Sequence, residues 1–221
     1  LEMRRRRGVK VQEMSGDEAR DMEPVLSPII KGAAFFPDVH TVLNPLRLVQ
    51  VFAEHFVRSG GTLLRESVSG FEIGADGPSR IITDAGSHEV DKVVIATGAW
   101  SIPLAKQMGL NPPLEAERGY HTMITDPGID ISVSITSNER YVVLTQMEHG
   151  LRVSGIAQFS GLHSEPDYTL ADRALENARV VVPGLKGKVE SKWAGPRPSL
   201  PDSLPIIGPS LRHPKVYFAF G

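Results

Sequence analysis

The chain contains no cysteine, which removes disulfides, zinc–thiolate centres and thiol nucleophiles together. Such a chain is compatible with a reducing compartment. No apolar stretch approaches the roughly 20 residues of a spanning helix. The first residues, "LEMRRRRGVKVQE", lack the apolar centre of a secretion signal and read as the middle of a helix, so a fragment of a longer protein is expected. The expected location is the cytoplasm, either free or peripheral to the inner membrane. Charge of one sign is scarce: the formal net charge is −2, which supplies no general attraction to nucleic acid or an anionic membrane. The one basic run, Arg4 to Arg7, reads as a solvated helix end. Seven histidines form no H-x-H or H-E-x-x-H pair, so no metal site is expected. Neither G-x-S-x-G nor a phosphate-binding glycine loop occurs, so a bound dinucleotide would take its main phosphate contacts from residues outside these 221.

What is present reads as an α/β chain with mixed α+β character. Ser15 and Glu18 form a capping pattern for a helix at about 16–22, and "IIKGAAFFPD" reads as a strand and turn. In "NPLRLVQVFAEHFVRSGG", Asn44 fits an N-cap, Pro45 the first turn and Gly60 or Gly61 the stop. Leu48, Val49, Phe52, Ala53, Phe56 and Val57 recur at helical spacing, predicting one face packed on something flat. "TLLRE" (62–66) reads as a short strand, "SVSGFEIG" and "SRIITDAG" as a hairpin, and "VVIA" (93–96) as a strand buried on both faces. A short helix at about 101–108 ends at Gly109. From Arg118 to Phe159 successive extended segments without helices predict an antiparallel sheet. A helix follows at about 169–180, and "KVYFAFG" reads as another buried strand.

Two stretches carry the chemistry. "VVIATGAWS" sets Ala96, Thr97 and Gly98 directly after a strand, where open α/β sheets bind ligands; a tight turn needing Gly98 explains the same residues. "KWAGPRPSLPDSLPIIGPS" (192–210) reads as a stiff loop holding Arg197 between Pro196 and Pro198. A guanidinium offers a planar fork for a carboxylate. Its alternative role is a structural ion pair, with Asp202 as partner or as a turn former. His121 in "ERGYH" is the histidine nearest these motifs.

With "HTVLNPLRLVQVFAEHFVRSGGTLLRESVSGFE" and "LEAERGYH", these stretches resemble the FAD-dependent D-amino-acid oxidase, D-amino-acid dehydrogenase and glycine oxidase group. The resemblance implies a partial Rossmann-like FAD-binding domain (40–108 and 192–221). An antiparallel substrate domain (109–191) is inserted into it, and residues 1–39 join the substrate region. It implies Val68 on the adenine side of FAD, and Ala96, Thr97, Gly98 and Trp100 along the cofactor. It puts Gly221 where the chain meets the flavin. It implies that Arg197 holds a substrate carboxylate, with Tyr120 or His121 lining the pocket. The reaction implied is oxidative deamination of a small amino acid, a D-amino acid or glycine, with hydride leaving Cα for flavin N5 and electrons passing on to oxygen or a quinone. An N-methyl amino acid such as sarcosine is the alternative substrate, and a non-catalytic piece without FAD is the alternative to an enzyme. An incomplete sheet also predicts self-association through exposed edges. The family's leucine before the arginine is Pro196 here.

Overall fold

The computed structural model describes residues 1–221. In chain order the elements are α1 (Glu2–Arg6), β1 (Gln12–Ser15), α2 (Gly16–Met22), β2 (Gly32–Phe35) and α3 (Pro45–Arg58). β3 (Val68–Gly74), β4 (Gly77–Thr83), β5 (Gly86–Glu89), β6 (Val93–Ile95) and α4 (Ser101–Gln107) follow. Then come β7 (Glu115–Thr125), β8 (Ile135–Ser137), β9 (Val142–Met147), β10 (Gly150–Phe159) and α5 (Thr169–Val181). β11 (Lys188–Ser199), β12 (Ile206–Pro209) and β13 (Val216–Phe220) complete the chain.

The chain forms two compact units. The first comprises Leu1–Phe52, Gly119–Ile156 and Pro166–Ala194. Ser15 caps α2 as its spacing predicts: its hydroxyl accepts from the Glu18 amide, and the Glu18 carboxylate accepts from the Ser15 amide. The antiparallel sheet has the order β11–β7–β10–β9–β8. One side of it packs on α5, with Ile124, Leu144, Leu151, Val153, Ala178 and Val181 fully buried. Glu23, at the end of α2, is buried and accepts from the Ser132 and Val133 amides at 2.7 and 2.9 Å and from the Ser132 hydroxyl. A carboxylate so placed joins two segments far apart in sequence.

The second unit comprises Ala53–Arg118, Ala157–Glu165 and Gly195–Gly221. Its small sheet has the order β12–β13–β6, with β6 parallel to β13. Val93, Ile95, Val216, Phe218 and Phe220 pack with Leu104, Ala105 and Met108 of the α4 region. β3, β4 and β5 form an antiparallel meander. Thr83 and His88 close on Glu66, whose carboxylate accepts from the Thr83 hydroxyl at 2.7 Å and lies 2.6 Å from His88 Nε2.

Four expectations change. "TLLRE" is not a strand; a strand needs a neighbour to satisfy its amides, and no strand pairs with these residues. "VVIA" is not buried on both faces: Val94 is 61% exposed, because α4 covers only one side of the small sheet. The apolar stripe of α3 meets no flat partner, and none of its residues is buried, although Asn44 does cap it by accepting from the Arg47 amide. Residues 192–210 are not one loop, since β11 runs on to Ser199 and β12 begins at Ile206. β11 is the edge of its sheet. Pro196 and Pro198 lie two apart and turn their nitrogens to one side, which an edge strand can leave without a ladder.

Glu66 gives a pH prediction. The Thr83 and then the His88 hydrogen bonds hold its pKa below the usual carboxylate value. A depressed folded pKa adds stability above the unfolded pKa and loses it as pH falls through the folded one. Glu66→Gln should therefore lower the thermal midpoint at neutral pH, and the difference from wild type should shrink once both proteins are melted in acid. An undiminished difference would assign the effect to packing.

Candidate functional site

Arg197 stands on the edge strand β11 in the second unit. Its side chain is 56% exposed and its Nη1 lies 3.5 Å from Oε1 of Glu117. The other Glu117 oxygen accepts from the Ser199 hydroxyl at 2.6 Å. Glu117 is thus fixed by Ser199 and steadies the arginine at long range, leaving most of the five guanidinium donors open to another acceptor. Asp202 takes the turn-forming role, accepting from the Leu204 amide at 3.0 Å.

Strand alternation separates Tyr120 from His121. Tyr120 is 3% exposed, and its hydroxyl accepts from the Asp167 amide at 3.0 Å. Its ring meets Tyr168 edge-on at 6.2 Å. His121 occupies the half-exposed side of β7 and stacks on Trp193 at 5.2 Å and 25°. Burial, and then the nearby Arg152 charge, lower its pKa, so the ring is neutral at pH 7 and can donate from one nitrogen while accepting at the other. Sequence reading missed Glu117, Trp193 and Arg152. Parity carries the available signal: Trp193 lies four residues before Arg197 on one strand, and Glu117 four before His121 on another.

The strand-to-helix turn after β6 belongs to the second unit, as does Val68. Gly98 has φ +56, the left-handed region that glycine favours, and nothing lies within 4 Å of where a Cβ would stand. Thr97 Oγ1 is 3.1 Å from Ser101 Oγ, so the turn is held from its helix side. Ala96, Trp100 and Val68 are exposed. Gly221 has φ +103, and a Cβ there would approach Leu200 Cδ1 to 2.7 Å.

A family model described as "FAD dependent oxidoreductase" (DAO) matches residues 1–221. The chain belongs to the DAO family. The D-amino-acid oxidase of Bradyrhizobium diazoefficiens is 30% identical over 223 residues, covering 99% of this chain and 53% of that protein. The glycine oxidase of Pseudomonas putida is 29% identical over 206 residues, 92% of this chain and 56% of that protein. A solved glycine oxidase from Bacillus cereus matches with a TM-score of 0.88 at 25% identity, over all of this chain and 61% of that one. The chain spans about half the length of the curated relatives it matches.

FAD is the cofactor of the DAO family. The residues present fit part of it: the open space beyond Gly98 and the exposed apolar surfaces of Val68 and Trp100 admit a flat ring system or ribose against the backbone. A pyrophosphate is held by backbone amides at a glycine-rich helix start, and the sequence has no such loop. No helix is long and apolar enough to cross a membrane.

Proposed function

We propose that this chain supplies the substrate-holding part of an FAD-dependent enzyme that oxidises amino acids at the Cα–N bond, with Arg197 gripping the α-carboxylate. The observation that carries the reading is the half-exposed arginine on a proline-stiffened strand, steadied by Glu117 but not saturated by it. Pro196 and Pro198 restrict the backbone, so less freedom is lost when the arginine is immobilised on a ligand.

FAD, when bound, supplies the two-electron acceptor and is reoxidised by oxygen or a quinone. Val68, Ala96, Thr97, Gly98 and Trp100 would hold it, with Gly221 at its approach. The protein's task is orientation: Arg197 fixes the carboxylate end, and with it the Cα. An amine that arrives neutral needs no dedicated base.

The test is the protein loaded with FAD and desalted, followed by amino-acid addition under anaerobic conditions. Retained flavin absorbance that bleaches with glycine, a D-amino acid or an L-amino acid supports the reading. Bleaching by sarcosine alone would replace the primary-amine substrate with an N-methyl one. Retained flavin that no amine bleaches would refute amino-acid oxidation.

A further inference from the structure

Arg197 and Glu117 stand on neighbouring strands, β11 and β7, and both belong to the second unit, as does Ser199. Alternation along β7 buries Ala116 and Arg118 and leaves Glu117 on the half-exposed side. Arg118 is accordingly engaged elsewhere, donating to the Ser164 hydroxyl at 3.1 Å and to the Leu162 carbonyl at 3.3 Å. The only ion pair that either Arg197 or Glu117 makes is with the other.

Their contact is loose, yet the carboxylate is held. The Nη1–Oε1 separation of 3.5 Å exceeds the roughly 2.7–3.2 Å of a hydrogen bond, so neither group uses up a donor or acceptor on the other. Ser199 ties Oε2 at 2.6 Å, which keeps the carboxylate from turning to close a two-pronged pair. Oε1 therefore retains its acceptor sites and the guanidinium its donors. An exposed ion pair of this kind contributes little stability, so little is lost when a ligand opens it.

We infer that Glu117 receives the α-amino group of the substrate while Arg197 holds its α-carboxylate, making the pair a clamp that selects amino acids over carboxylic acids without an amino group. The inference rests on the amino-acid reading proposed above and adds a second recognition residue to it. The amino and carboxylate groups of an α-amino acid are carried by one carbon, and the pair offers an opposite charge to each at adjoining positions. An amino N–H donates to Oε1 whether the amine is charged or neutral. A carboxylate that lacks the amino group sets a second anion beside Glu117 with no donor between them, which disfavours that ligand.

The experiment is an NMR titration of the chain with 13C-labelled glycine and both enantiomers of alanine, each against the acid without the amino group, acetate or propionate. Wild type is compared with Glu117→Met, Glu117→Gln and Ser199→Ala, with circular dichroism confirming that each is folded. Wild type should bind at least one amino acid more tightly than its acid. Glu117→Met should weaken that amino acid by about 10-fold and tighten the acid, a pair of opposite changes that lost packing does not produce. Glu117→Gln keeps an acceptor without the charge and should recover part of the affinity, and Ser199→Ala should fall between wild type and Glu117→Met. Equal binding of amino acids and acids by the wild type, or equal losses of both in Glu117→Met, would overturn the inference. Turnover is read separately: on the FAD-loaded protein, Glu117→Met should raise KM for the amino acid more than it lowers kcat. Amino-acid binding that depends on Glu117 supports the clamp even where nothing is oxidised, whereas oxidation with an unchanged KM in Glu117→Met sinks it.

Discussion

Arg197→Met is expected to lower kcat/KM for the amino-acid substrate by about 100-fold, close to 3 kcal/mol of transition-state binding. Removing one member of a desolvated charge pair costs about 2–5 kcal/mol. The lower part of that range applies here, because the side chain is more than half exposed and solvent screens it. Arg197→Lys keeps the charge but loses the two-pronged geometry, so it should fall between wild type and Arg197→Met. Steady-state kinetics on the FAD-loaded protein would measure both. An Arg197→Lys variant as active as wild type would remove the fork from the account and leave a structural partner of Glu117.

Glu23→Ala should have the largest effect on stability. Three donors converge on that carboxylate, from Ser132 twice and from Val133. Hydrogen bonds to charged groups contribute about 1.5–3 kcal/mol each. Ser132 is exposed and recovers water as a partner, so a net loss of about 3 kcal/mol is expected rather than the sum. In a protein of this size that corresponds to roughly 6–12 °C in the melting temperature. Glu23→Gln keeps an acceptor and should lose less. A Glu23→Ala midpoint within about 2 °C of wild type would mean that the joint between α2 and residues 132–133 carries little of the stability.

Local features were legible in the sequence because local chemistry causes them. Ser15 with Glu18, and Asn44 with Pro45, announce helix starts because the capping donors lie within three or four residues. The antiparallel character of β7, β9 and β10 follows from their lengths and alternation. Neighbours are what the sequence does not announce. "TLLRE" has the composition of a strand, but composition provides no ladder partner. Val94 has the residue type of an interior, yet its exposure depends on what covers the sheet. Prolines 196 and 198 suggested a loop because a proline is excluded only from strands paired on both sides, and edge position is a property of the whole sheet. The candidate site divides the same way. Arg197 stood out through its flanking residues, whereas Glu117 and Arg152 gain meaning only from strands brought together by folding.

The edge that carries Arg197 also has a defensive character. An open strand margin is a template on which a further extended chain can grow, and natural proteins blunt such margins to stay dispersed. Two absent amides in three residues of β11 leave that template with missing rungs. The small sheet has two margins: β12 ends in Pro209, whereas β6 contains no proline and presents Val94 outward. If purified material becomes turbid on storage, the accreting end should be β6, and a lysine at position 94 should keep the solution clear where changes to β11 do not.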